Sequence, residues 1–100
     1  MSAYLIASYD IEDAQAHDDY ASAADFLLTK HGGKLLVADD RGYVLEGKGS
    51  MINVIVQFES EIAAMDFYND PEYNLVKQIR LNATQNGSLV LVKDLNGLSV

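Results

Sequence analysis

Tyr4, Leu5, Ile6 and Ala7 follow one another with no polar break, so apolar side chains fall on both parities of the first segment. That pattern belongs to a strand covered on both faces and predicts a first strand over 3–9. After Asp13 the period lengthens. His17, Tyr20, Ala21, Ala24, Leu27, Leu28 and His31 recur at helical spacing, while Asp18, Asp19, Ser22 and Thr29 turn away from them. An amphipathic helix is expected, with Asp13 accepting from its first free N–H groups and Gly32 taking the left-handed conformation that ends it. "KLLVA" (34–38) and "YVLE" (43–46) read as two strand pieces around the turn formers Asp39, Asp40 and Gly42, either one bent strand or a small hairpin. Val54, Val56 and Phe58 then alternate with Asn53, Ile55 and Gln57, which predicts a further strand. Ser60 caps a second helix whose inward stripe is Met65, Tyr68, Leu75, Val76, Ile79 and Ala83, with Asn86 and Gly87 as its stop. Ser88 to Asp94 is the last strand, so one domain spans 1–95 and a loose tail follows at 96–100.

The chain's one proline falls inside the second helix, in "FYNDPEYN". Pro71 has no N–H and disfavours helical geometry at Asp70, so the helix should break near Asn69 and Asp70. It should restart at once, because Asp70 as cap, Pro71 at the first helical position and Glu72 in the first turn all favour a helix start. Tyr73, Lys77 and Arg80 then form a polar and aromatic stripe beside the apolar one.

The order is βαββαβ, the ferredoxin-like plan of the α+β class: one antiparallel sheet with two helices on a single face. Helices cover one side of the sheet only, yet the first and last strands are apolar on both parities. A second copy of the chain is the simplest cover for the other side, which predicts a homodimer.

Composition narrows the function classes. Fifteen acidic against 7 basic residues give a net charge of −8 and no basic cluster, so neither nucleic acid nor an anionic membrane surface is an expected partner. The chain has no cysteine, which removes disulfides, thiolate chemistry and cysteine metal sites and fits a cytoplasmic setting. The apolar N-terminus lacks a basic flank and is too short to span a bilayer.

Few residues carry chemistry. "GYVLEGKG" (42–49) approaches a phosphate-loop pattern, but Gly49 stands where the hydroxyl should be and a strand follows, so it reads as a glycine-rich turn. His17 and His31, both on the inward stripe, would lie about 21 Å apart along a helix and cannot share a metal ion. His31 sits where a helix dipole favours it, and His17 is the better candidate for a general base. Arg80 reads either as an anion donor or, by default, as an exposed or carboxylate-paired arginine on an acidic surface.

The segments "AYLIASYDIEDAQAHDDY", "HGGKLLV", "VIVQFES", "AMDFYNDPEYNLVKQIR" and "SLVLV" together resemble domain-of-unknown-function family thirteen-thirty, small proteins of the dimeric α/β-barrel superfamily. The most specific part is the F-Y-x-[SD]-P-E-Y run, matched by Phe67, Tyr68, Asp70, Pro71, Glu72 and Tyr73, with a following arginine at Arg80. The chain departs from the family where its first helix starts with Asp13, Ala14 and Gln15, and where "ADDRG" replaces an Arg-Gly-Gly turn. The resemblance implies the fold and a homodimeric barrel, and no settled reaction.

Two functional readings follow. In one, a pocket between helices and sheet, with the helix break at its rim, binds a small molecule; Tyr9, Tyr20, Tyr68 and Tyr73 line it, and Asn69 and Arg80 orient the ligand. In the other, by analogy with superfamily relatives, a cofactor-independent monooxygenase- or isomerase-like enzyme acts on a small aromatic or oxo-acid metabolite. There His17 accepts a proton, Arg80 stabilises an anion and Tyr68 or Tyr73 donates a hydrogen bond. Neither reading calls for a cofactor or a metal.

Overall fold

The computed structural model describes residues 1–95, so the expected tail at 96–100 lies outside the described residues. The elements are β1 (Ala3–Ile11), α1 (Ala14–Lys30), β2 (Lys34–Asp39), β3 (Ile52–Phe58), α2 (Glu61–Tyr68), α3 (Pro71–Ala83) and β4 (Thr84–Lys93). The strands form one sheet in the order β2-β3-β1-β4, every neighbouring pair antiparallel. The second helix comes as two, α2 and α3, broken at Asp70 and Pro71 as their local chemistry requires.

Alternation along the strands decides which side chains meet the helices. Ala3, Leu5 and Tyr9 of β1 and Val56 and Phe58 of β3 are buried, and Ala24 and Leu27 of α1, Ala64 and Phe67 of α2 and Tyr73 of α3 close over that face. Nine of these ten side chains, all but Tyr9, belong to a single core cluster. On the opposite face Ile6 stands between Ile55 of β3 and Val90 of β4, with Tyr4 between Gln57 and Val92.

The helix ends follow their caps. Asp13 Oδ1 accepts from Ala16 N at 3.1 Å and Ser60 Oγ from Ala63 N at 3.1 Å. Gly32 has φ 75°, the left-handed conformation expected after α1. Gly33 is favoured for a different reason: a Cβ there would stand 3.0 Å from the Phe58 ring and 3.1 Å from the Leu28 side chain, which would have to yield.

Asp70 ties two helix ends together. Its Oδ1 accepts from Glu72 N at 2.9 Å, capping α3, while Oδ2 accepts from His31 Nε2 at 2.7 Å and Lys30 Nζ at 2.9 Å at the end of α1. The His31 bond first, then Lys30 and the Glu72 N–H, hold its carboxyl well below the usual carboxylate range. A depressed folded pKa gives stability that is present above the unfolded value and lost as pH falls through the folded one. Asp70→Ala is therefore expected to lower the melting temperature by roughly 10 °C at neutral pH, with the gap to wild type narrowing below about pH 4. Thermal unfolding followed by circular dichroism across pH checks this; a gap that does not narrow in acid would mean that the carboxylate charge is not what matters.

Three local expectations need correction. The pair of strand pieces reduces to one, because 43–46 has no partner strand: Tyr43 is 93% and Leu45 88% exposed. The stop of the second helix is not Asn86 and Gly87. α3 ends at Ala83, whose carbonyl accepts from Glu12 N and Asp13 N at 2.8 and 3.1 Å, and Thr84 is already extended. Asn86, at φ 55°, instead lies in β4 opposite the register shift between Ser8 and Asp10, and its side chain donates to Asp10. The inward stripe also shifts. The break resets the helix phase, so α3 turns Tyr73, Arg80 and Ala83 inward while Leu75 is 76% exposed.

Candidate functional site

The reset phase of α3 is what assembles the site. It aims Tyr73 and Arg80 at α1, which presents His17 and Tyr20 one turn apart, while β1 presents Tyr9 on its helix-facing side. Tyr9 Oη lies 2.6 Å from His17 Nε2, and Tyr20 Oη lies 2.9 Å from Tyr73 Oη. The rings form a continuous file: Tyr9 to His17 is 5.3 Å between centroids, His17 to Tyr20 5.9 Å and Tyr20 to Tyr73 6.5 Å. The Arg80 guanidinium carbon stands 5.9 Å from the Tyr9 ring centre and 5.7 Å from that of Tyr20.

A cavity of about 200 Å³ adjoins this file, between α1 and the sheet. Tyr9, His17, Tyr20 and Tyr73 line it, and the rest of its wall is mainly apolar. Small residues leave this space open, Ala7 on β1, Ala21 and Ala24 on α1, and Ala38 on β2, with Ala24 buried and Ala21 and Ala38 at the mouth. Among the lining residues, Ala21, Asp25, Leu35 and Ala38 are exposed, so the cavity opens to solvent there. Alanines on the helix-facing and sheet-facing sides of otherwise bulky segments are the sequence signal for this cavity, and the pattern of large apolar residues passes over them.

Of the residues expected at the site, Tyr9, His17, Tyr20, Tyr73 and Arg80 come together. Tyr68 and Asn69 do not join them. Tyr68 packs on Tyr73 at 6.0 Å with Lys77 Nζ 4.7 Å over its ring, outside the cavity lining. Asn69 caps the end of α2, its N–H donating to Met65 O at 2.9 Å, and is exposed. The helix break reaches the cavity instead through Phe67 and Tyr73 on its two sides. Arg80, by default an exposed or carboxylate-paired residue, is neither: it is 5% exposed and forms no salt bridge among the described residues. It stands behind the wall formed by Tyr9 and Tyr20 and is not itself a lining residue.

Burial sets the protonation of the file. Desolvation pushes the Tyr9 hydroxyl up, against a lowering by Arg80, and pushes Tyr20 up strongly, helped by Tyr73. Desolvation also lowers His17; Asp18 opposes this and Arg80 adds to it. The lowering favours the neutral imidazole, and in the tautomer with the proton on Nδ1 its Nε2 accepts from Tyr9 Oη. A histidine whose folded pKa is depressed binds protons more readily when unfolded, so its contribution to stability is full above the unfolded value and falls away as pH drops below it. Replacing His17 by Gln should flatten the stability profile just below about pH 6.5, as read by urea unfolding at a series of pH values. An unchanged slope would mean that His17 titrates freely in the folded protein.

The sheet order and the cavity beneath its helices define a ferredoxin-like α+β protein. Among solved structures the chain is similar to RPA0582, a protein of unknown function from Rhodopseudomonas palustris, at TM-score 0.79 and 18% identity, covering 95% of this chain and 83% of that one. It is also similar to a dimeric ferredoxin-like protein of unknown function from Jannaschia sp., at TM-score 0.74 and 13% identity over 93% and 99% of the two chains. A third similar structure is a mutant of SnoaB, a cofactor-independent oxygenase from Streptomyces nogalater, at TM-score 0.67 and 13% identity over 97% and 96%. At such identities the likeness carries the fold alone. The family model named Domain of unknown function (DUF1330) matches residues 2–95, and the chain belongs to that family. No curated protein matches it.

Proposed function

We propose that the protein binds a small molecule in the cavity between α1 and the sheet, as a cytoplasmic homodimer. The observation that carries the reading is the cavity itself: a largely apolar space of about 200 Å³ with three hydroxyls and an imidazole on its wall. An apolar cavity of about 150 Å³ is enough to take up benzene, so this one suits a single ring bearing a few further atoms. The Tyr9 and His17 pair offers a hydroxyl and a neutral base to an oxygen substituent on such a ring. Calorimetric titration with phenol tests the proposal. Binding is expected in the wild type and should be reduced about tenfold or more by Ala7→Val, which adds two methyl groups inside the cavity. Equal binding by both would put the ligand elsewhere.

Support for the dimer comes from the apolar outer face of the sheet, with Ile6, Ile55 and Val90 side by side, and from the dimeric protein among the similar structures. Light scattering at micromolar concentration should give twice the chain mass for the wild type and the chain mass for Ile55→Lys. No helix among the described residues is long and apolar enough to cross a membrane, and the absence of cysteine agrees with a reducing compartment.

A second reading, an enzyme without a cofactor, is favoured by one feature of the same wall. His17 is held neutral while hydrogen-bonded to a hydroxyl that lines the cavity, which is the state a proton acceptor needs. Removal of a ligand proton to His17 and its return at another atom balances without any co-reactant; an oxygenase reaction, the activity named for SnoaB, would also consume dioxygen. Deuterium exchange into an enolisable single-ring ketone, lost in His17→Gln while phenol still binds, would support the enzyme. Binding with no exchange or turnover leaves the binding protein.

A further inference from the structure

Arg80 is largely buried and forms no salt bridge among the described residues. Its Nε is shut off from solvent and has no hydrogen-bond partner among the described residues. The salt bridges formed there involve Lys30, His31, Arg41 and Lys93, although acidic residues outnumber basic ones by 15 to 7 in the chain. The groups that face the guanidinium are the rings of Tyr9 from β1 and Tyr20 from α1. The hydroxyls of both, and the imidazole and Tyr73 hydroxyl bonded to them, are uncharged. Burying a cation without a counter-charge is costly, and aromatic faces offset only part of that cost. An anion bound nearby would supply the counter-charge.

We infer that the ligand of this cavity is a monoanion, a small carboxylic acid with an apolar body of about one ring, held with its carboxylate against the Tyr9 and Tyr20 wall and with Arg80 behind that wall as its counter-charge. The inference rests on the reading of the cavity as a binding site. The apolar part fills the space left by Ala7, Ala21 and Ala24, and the one proton of the Tyr20 and Tyr73 hydroxyls that is not used between them is available to donate to a carboxylate oxygen. The guanidinium carbon stands 5.7–5.9 Å from the two ring centres, with the ligand on their far side, so its charge acts across the aromatic wall, through a medium less polarisable than water, and favours an anion over a neutral molecule of the same shape. Arg80 thereby sets specificity through charge, and the shape of the cavity sets size.

Calorimetric titration with benzoate and with benzamide, its neutral isostere, tests this. The wild type is expected to bind benzoate about tenfold or more tightly than benzamide, and Arg80→Gln to weaken benzoate by a similar factor while leaving benzamide nearly unchanged. Equal affinity for the two probes, or a preference that survives in Arg80→Gln, overturns the counter-charge and leaves the cavity as a site for neutral molecules. Failure of every single-ring probe to bind removes the cavity reading and this inference with it. Should Arg80→Gln not fold, Arg80→Lys keeps the charge and is expected to keep the preference, and a folded Arg80→Lys without it overturns the assignment.

Discussion

Phe67→Ala is expected to lower the free energy of unfolding by about 4 kcal/mol, a large share of the roughly 5–15 kcal/mol that holds a domain of this size together. Phe67 is nearly sealed from solvent and sits at the centre of an aromatic cluster, 4.4 Å from the Tyr73 ring and 5.6 Å from Phe58, with His31 at 6.1 Å. Truncation removes its transfer free energy and leaves a hole whose cost depends on whether the neighbours can close it. Here they cannot close it readily. Phe67 already lines the cavity of about 200 Å³, so the new space opens into an existing one rather than collapsing. Urea unfolding should show the midpoint falling with the slope unchanged. Phe26, on the outer side of α1, supplies the contrast: it is 70% exposed, and Phe26→Ala should stay within about 0.5 kcal/mol of wild type. A loss of less than about 1 kcal/mol for Phe67→Ala would mean that α2 is held by something other than this cluster. A surviving Phe67→Ala protein should also accept two-ring ligands that the wild type excludes.

The parts of this fold legible in the sequence are those that depend on neighbours along the chain. β1 was readable from apolar residues on both parities, and Asp13, Ser60 and Asp70 as caps, because a cap bonds to N–H groups two or three residues away. The break at Pro71 was legible for the same reason, but its consequence was not. A stripe drawn through Met65, Leu75 and Ile79 assumes that the helix keeps its phase; the restart rotates it and sends Leu75 outward and Arg80 inward. "YVLE" has the composition of a strand, yet a strand exists only where another offers its backbone, and none is placed there. Asn86 and Gly87 look like a helix stop, but the carbonyl of Ala83 is taken up by the N–H groups of Glu12 and Asp13, 71 and 70 positions earlier. Within the site, Tyr20 and Tyr73 were separately identifiable as inward-facing or pocket-lining tyrosines, while their bond spans 53 positions and follows from the packing of α1 on α3. Asp70 is an N-cap by local rule, and its hold on His31 and Lys30 is likewise a tertiary fact.

Arg80→Met is expected to make the free protein more stable than wild type, by about 1–3 kcal/mol, although it changes one of the most buried side chains of α3. Methionine is unbranched and can follow much of the arginine stem between the Tyr9 and Tyr20 rings, where sulfur packs well against aromatic faces. It gives up no salt bridge, since none is formed among the described residues, and it relieves the desolvation of Nε. Retaining a destabilising group at a site that uses it is the usual trade between stability and activity. Urea unfolding of the two proteins without ligand measures the sign: a loss of more than about 1 kcal/mol would show that the guanidinium has partners that matter and that its charge is already balanced. Benzoate then separates the two sources of the difference. A ligand that binds only the folded protein adds RT ln(1 + [L]/Kd), about 2.7 kcal/mol at one hundred times Kd. A variant that binds benzoate about tenfold more weakly gains about 1.4 kcal/mol at the same concentration, so benzoate should narrow the gap that Arg80→Met opens by about 1.3 kcal/mol, and the same amount of benzamide should leave the gap in place.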